Sequence, residues 1–234
     1  MPEYCERVSS GRLMLPALAH IDSWIFDLDN TLYPASSDLF GLIDQRMTDY
    51  VARTAGIDRD AAYQLQKVLF REHGTTLSGL MTLHDVDPHH FLADVHAIEM
   101  DVLAEDRRLI DSIAALPGRK LIFTNGDETY ARRVLERIGL SEAFEAIHDI
   151  HACAYRPKPS AHSYESMIAA FGVDPRRALF ADDMARNLTP AHALGITTLW
   201  IDNGSEQVGD LGAGEGIDYR TADLGAWLAD ILKD

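Results

Sequence analysis

A short apolar run, Trp24–Phe26, ends in two aspartates, and roughly 80 residues of purely helical patterning pass before a comparable run returns at Leu121. Runs that are apolar at consecutive positions read as strands buried on both faces. Three more follow the first: Leu121–Thr124, Ala178–Ala181 and Thr197–Ile201. Between these three, Tyr130, Val134, Leu135 and Ile138 recur at helical spacing, as do Tyr164, Met167, Ile168 and Phe171, with Gly172 placed to stop the second helix. Strand and helix in alternation predict an α/β fold with a parallel sheet. Leu224, Trp227, Leu228, Ile231 and Leu232 predict a closing amphipathic helix packed on that sheet.

The long gap reads as an insertion. Leu39, Ile43, Met47, Tyr50 and Val51 form one helical stripe, and Ala62, Leu65, Leu69 and Phe70 form another. A third helix is expected at Pro88, with Asp87 as its N-cap. An ordinary strand-to-strand crossover needs far less chain. The expected division is a core made of residues 1–34 and 117–234 and a helical cap over 35–116. The acidic, glycine-rich "GDLGAGEGID" at 209–218 reads as a surface loop, because it does not link a strand directly to a helix.

Composition narrows the partners. At 234 residues and 47% hydrophobic content the chain can bury a sizeable core. Its 21 basic against 37 acidic residues give a net charge of −16, which repels nucleic acid polymers and anionic membrane surfaces. No apolar run approaches the ~18 residues of a membrane helix. The N-terminus lacks the basic and apolar regions of a secretion signal, and Cys5 and Cys153 are too few for a disulfide framework. A reducing, cytoplasmic setting is the expectation, and the oligomeric state is left open.

In open α/β sheets ligands bind beyond the carboxyl ends of the strands. The first strand ends in Asp27, Asp29 and Thr31, the "LIFT" strand in Thr124 and Asn125, and the "ALFA" strand in Asp182 and Asp183, with Asn187 close behind. Carboxylates gathered from two strand ends repel in a dry pocket unless a hard cation joins them, and Mg²⁺ is suited to one or two carboxylates plus a substrate phosphate. One aspartate can attack phosphorus, while a second, two residues on, protonates the leaving oxygen and later deprotonates water. Thr31, Thr124 and Asn125 can donate hydrogen bonds to phosphoryl oxygens.

"DLDNTL", "FTNG", the lone lysine of "RPKP" and "FADDMARN" resemble, in order, the four motifs of the haloacid dehalogenase superfamily, and the resemblance covers most of the chain. It implies a Rossmann-like core with a cap inserted after the first strand. It further implies Asp27 as nucleophile and Mg²⁺ ligand, and Asp29 as general acid/base whose backbone carbonyl also binds the metal. Thr124 would bind phosphate, Lys158 would hold nucleophile and phosphate, and Asp183 would be the distal metal ligand. Asp182 and Asn187 would be outer or water-mediated partners. Met184 departs from the small hydroxylated residue common after the acidic pair.

"WIFDLDNTLYP" together with "HGTTLSGL" (His73–Leu80) is similar to the pyrimidine 5′-nucleotidase-like branch. The implied reaction is Mg²⁺-dependent hydrolysis of a small phosphorylated substrate, such as a nucleoside 5′-monophosphate, through an aspartyl-phosphate. The alternatives are a phosphosugar phosphatase or phosphomutase, a 2-haloacid dehalogenase, against which Asp29 and the Asp182–Asp183 pair argue, and a non-catalytic binding module. His73, Thr75 and Thr76 either form a plain turn between helices or help select the substrate, and Tyr33 either packs a hinge or walls the pocket. His84, His89, His90 and His96 match no compact zinc pattern and are expected as cap residues. Arg132 and Arg133 are expected on a solvated helix face, and Cys153 as a buried thiol or a loop residue.

Overall fold

The computed structural model describes residues 15–205 and 216–233. Its parallel sheet comprises β1 (Ser23–Phe26), β2 (Arg119–Phe123), β3 (Ala146–His148), β4 (Ala178–Asp182), β5 (Thr197–Ile201) and β6 (Tyr219–Thr221). Their spatial order is β3-β2-β1-β4-β5-β6. β1 lies between β2 and β4, with Phe26 opposite Ile122 on one side and Ala181 on the other. The chain winds outward to β3, then returns past β1 to build β4, β5 and β6. Strand order therefore reverses beside β1, and in open α/β sheets ligands bind beyond the carboxyl ends of the strands at such a point.

Alternate residues of each strand face opposite sides, and both sides are apolar. Trp24 and Phe26 join one core with Tyr130, Val134, Leu109 and Leu228. Ile25 joins the other with Phe123, Phe180, Tyr164, Met167 and Leu188. The first face is covered by α5 (Arg107–Ala115), α6 (Glu128–Arg137) and α9 (Leu224–Ile231), the second by α7 (Ala161–Phe171) and α8 (Ala185–Ala193).

Between β1 and α5 lie α1 (Leu39–Ala55), α2 (Arg59–His73), α3 (Thr76–His84) and α4 (Pro88–Val95), which pack on one another. Their boundaries follow local chemistry. Asp58 accepts from the Ala61 amide at 2.9 Å, Thr75 from Ser78 at 3.1 Å and Asp87 from His89 at 3.0 Å, satisfying amide groups that a helix start leaves unpaired. Gly56 ends α1 at φ 66°, a left-handed conformation that a side chain would oppose. The expected cap segment, 35–116, also contains α5, whose packing partner is α9 of the closing segment.

The strand readings need two additions. β2 begins at Arg119, two residues before its apolar part, and β3 and β6 are three-residue strands with no buried run to announce them. Asp127 caps α6, its carboxylate accepting from the Tyr130 amide. "HGTTLSGL" is the α2–α3 junction, with Gly74 ending one helix and Thr75 capping the next. Residues 1–14, with Cys5, and 209–215 of the glycine-rich stretch lie outside the described residues. Among the described residues no helix is long and apolar enough to cross a membrane.

Candidate active site

β1 places Asp27 at the switch point. Its backbone N–H continues the sheet ladder to the Ala181 carbonyl at 2.8 Å, so the side chain emerges beside β4. Lys158 reaches the same point from the loop between β3 and α7. Its Nζ donates to Asp27 Oδ1 at 2.7 Å, to Asp182 Oδ2 at 2.7 Å and to the Phe123 carbonyl at 2.9 Å. All three ammonium protons thus have partners, which a cation only 1% exposed requires.

Asn125 explains how Lys158 comes to be there. Its amide oxygen accepts from the Lys158 backbone N–H at 2.8 Å and its Nδ2 donates to the Lys158 carbonyl at 3.2 Å. The expected phosphate donor therefore has its side chain engaged in fastening the lysine loop to the end of β2. Thr124 differs. Its oxygen accepts from the Gly126 amide at 3.0 Å, leaving the hydroxyl proton to point elsewhere. Thr31 is 4% exposed, and its Oγ1 is a buried polar atom without a partner among the described residues.

Asp27, Asp182 and Asp183 each offer an oxygen within 4.8 Å of the others. The oxygens of Asp182 are already engaged: Oδ1 accepts from the Met184 amide and Asn187 Nδ2, and Oδ2 from Lys158 and Asn187 Nδ2. Ser205 donates to Asp183 Oδ2 at 2.6 Å, and Trp200 Nε1 to the Asp183 carbonyl at 2.9 Å. Asp27 Oδ2 and Asp183 Oδ1 have no donor among the described residues. Three carboxylates against one lysine leave an excess of buried negative charge, and the open oxygens are hard donors, so the set fits a divalent cation.

The electrostatics register that excess. Burial, then the neighbouring Asp182, Asp183 and Asp29, pushes the Asp27 carboxyl well above the ordinary range, against the pull of Lys158. Burial and Asp182 raise Asp183 to about 7, which its bond from Ser205 only partly offsets. Burial would lower Lys158, but Asp182 and Asp27 outweigh it and hold the ammonium above its ordinary value.

Asp29 stands apart from this cluster. Tyr33 and Tyr130 both donate to its Oδ1, each at 2.6 Å. Burial, then Asp29, raises both phenols well above their ordinary value, so they remain protonated donors. Tyr33, expected as a hinge or pocket residue, turns its hydroxyl onto Asp29 and is 4% exposed. Tyr130 entered the sequence reading only as part of an apolar helical stripe; a hydroxyl in the first turn after "FTNG" was the signal available for it.

The cap junction sits above the lysine loop. Ser78 Oγ lies 3.5 Å from the Tyr155 carbonyl, and Gly74 faces Pro157. Arg186, from the first turn of α8, lies over the Phe70 ring at 4.3 Å. Thr75 spends its hydroxyl within the first turn of α3, accepting from the Ser78 amide and donating to Ser78 Oγ at 2.9 Å. Thr76 is buried, and His73 lies against Gly79 of α3. His89 stacks on His151 at 4.7 Å, His90 bonds the Tyr50 hydroxyl at 2.8 Å, and His96 bonds Asp127 at 2.5 Å. Arg132 pairs with Glu128, but Arg133 is not merely solvated: it donates to the carbonyls of His96 and Ile98.

A family profile described as haloacid dehalogenase-like hydrolase matches residues 21–195. The chain belongs to that family. It is 27% identical over 191 residues, 74% of its length, to phosphate metabolism protein 8 of Saccharomyces cerevisiae, and spans 59% of the length of that relative. In fold it resembles a HAD phosphatase from Thermococcus onnurineus, with a TM-score of 0.61, 20% identity and coverage of 91% of this chain and 98% of that one. The HAD-hydrolase YfnB of Bacillus subtilis, solved bound to magnesium, gives a TM-score of 0.59 at 15% identity, over 92% of this chain and 99% of that one. The L-2-haloacid dehalogenase of Xanthobacter autotrophicus gives 0.55 at 18% identity, over 89% and 97%.

Proposed function

We propose that this family member is an Mg²⁺-dependent phosphomonoester hydrolase that works through an aspartyl-phosphate on a small metabolite such as a pyrimidine nucleoside 5′-monophosphate. The observation that carries the reading is the buried Lys158 bridging Asp27 and Asp182, with a second acid, Asp29, separately held two residues along. Lys158 holds the Asp27 carboxylate, the attacking group, through its bond to Oδ1. Attack forms the Asp27–phosphorus bond as the ester P–O bond breaks, and Asp29 delivers its proton to the departing oxygen. Asp29, now a carboxylate, takes a proton from water, whose oxygen attacks phosphorus and releases phosphate from Asp27.

Asp27, Asp183 and the Asp29 carbonyl would hold Mg²⁺, which supplies charge neutralisation for the phosphoryl group and the paired carboxylates. The buried Oγ1 of Thr31 and the hydroxyl of Thr124 are suited to phosphoryl oxygens, and Lys158 balances charge that builds there. Asp182 and Asn187 act on Lys158 and on the loop after β4 rather than on the substrate. His73, Thr75 and Thr76 frame the cap junction that would face the leaving group, by the shape of that turn more than by free hydroxyls.

Phosphate release from nucleotides and sugar phosphates, with and without Mg²⁺, tests the reading. Activity is expected with Mg²⁺, and loss of at least about 100-fold in Asp27→Asn. Inactivity across the panel, or an undiminished Asp27→Asn, refutes it; metal-independent halide release from 2-haloacids would favour the dehalogenase chemistry instead.

A further inference from the structure

We propose that Tyr33 and Tyr130 are positioning residues that form a two-hydroxyl clamp on Asp29, fixing which carboxyl oxygen handles the proton and tying that choice to the seating of the cap. The inference rests on the phosphatase reading for its kinetic consequence and on geometry alone for the clamp. Two phenolic hydroxyls converge on Oδ1 at 2.6 Å each, the length of charge-assisted O–H···O bonds. A carboxyl oxygen has two lone pairs in its plane, so Oδ1 is saturated as an acceptor. Oδ2 has no donor among the described residues. The proton that Asp29 gives to the leaving oxygen, and later takes from water, is thereby assigned to Oδ2.

One hydroxyl comes from the linker that enters the inserted segment, the other from core helix α6, which touches the chain where it leaves the α1–α4 bundle. Tyr33 sits where the chain leaves β1 for the cap, one residue before Pro34. Tyr130 belongs to α6, and its ring is stacked on His96 at 4.1 Å and 15°. His96 is the residue after α4, where the chain leaves the cap bundle, and its ring is itself anchored at 2.5 Å to Asp127, the cap residue of α6. Entry and exit of the cap thus both bear on one carboxylate. A shift of the cap that displaced either linker would loosen Asp29 as well.

A general acid matters most when the leaving oxygen is basic. Tyr33→Phe, Tyr130→Phe and the double variant keep both rings, and are assayed on an alkyl phosphate and on p-nitrophenyl phosphate, whose leaving group needs little protonation. The double variant is expected to lose about 10- to 100-fold in kcat/KM, which reports the phosphoryl-transfer step, on the alkyl ester and no more than about twofold on the aryl ester. Equal losses on the two esters, or none on the alkyl ester, overturn the role. Independently, proton NMR of the intact protein should show two far-downfield, slowly exchanging tyrosine hydroxyls, each lost in its own Phe variant and both moved upfield by Asp29→Asn. Their absence, or indifference to Asp29→Asn, overturns the clamp. A chain inert on every phosphomonoester removes the phosphatase reading, and the clamp then stands or falls on these resonances.

Discussion

Replacing Lys158 by methionine keeps most of the side-chain volume and removes only the ammonium. The structure makes the consequence large, because Lys158 is 1% exposed and bonded at 2.7 Å to both Asp27 and Asp182. Deleting one partner of a buried ion pair costs about 3–5 kcal/mol, since the stranded charge has neither water nor a counterion. For a chain of this size that is a fall in Tm of roughly 6–20 °C. The pH dependence distinguishes this cause from lost packing. Lys158 is held above its ordinary value of 10.5, so its contribution is fully present at any pH below that and is lost only as pH rises through the folded-state value. Asp27 is already pushed upward by burial, and without the lysine its neutral form is favoured further. The penalty at pH 5 should therefore be smaller than at pH 8, as protonation of Asp27 spares it the stranded charge. Urea unfolding of wild type and Lys158→Met in EDTA at both pH values measures the two differences. A loss that is the same at pH 5 and pH 8, or below about 1 kcal/mol at pH 8, would refute the reasoning.

The metal-free protein should itself lose stability between pH 5 and pH 8. Asp183 titrates near 7 in the fold against an ordinary value of 3.8, so the folded state binds the proton more tightly, and that advantage disappears as pH rises through about 7. Melting curves in EDTA should show the decline, and added Mg²⁺ should flatten it; a Mg²⁺-independent slope counts against Asp183 as a ligand. Cys153 is fully buried, and burial pushes its thiol up to about 12, so iodoacetamide at pH 8 should leave it unlabelled in the native protein and label it in urea, as read by peptide mass spectrometry.

The readable parts of this chain were those in which composition and position point the same way. Trp24–Phe26 is apolar at every position because β1 is flanked by β2 and β4 and covered on both faces. Asp182 and Asp183 stood out for the same reason in reverse, as charges at the end of a buried strand that is otherwise apolar. β3 and β6 lie at the sheet edges and are partly exposed, so neither a continuous apolar run nor a clean alternation marks them. α5 carried the polarity of a surface helix, and its partner, α9, lies more than a hundred residues away along the sequence, a separation that no local pattern encodes.

Within the site, residue type was legible and assignment was not. Asn125 carries an amide that suits phosphate as well as backbone, and only the approach of the Lys158 loop decides that it binds backbone. Ser205 reaches Asp183 from the loop after β5, which no motif connects to the "ADD" segment. Tyr130 obeys the helical period of an apolar stripe, so its hydroxyl is invisible to a pattern that scores the ring.

The place of β1 also sets an order of assembly. It is made before both of its sheet partners, which begin at Arg119 and Ala178 and follow α1–α4 along the chain. Those four helices find their partners close by in sequence and can associate early, whereas β1 must wait with both edges unpaired. The segment bearing Asp27 and Asp29 is thus synthesised before its partners and locked late. A nascent chain stalled before β2 would present an apolar strand tethered to a finished helical bundle, the form in which this protein is most open to aggregation and to capture by chaperones.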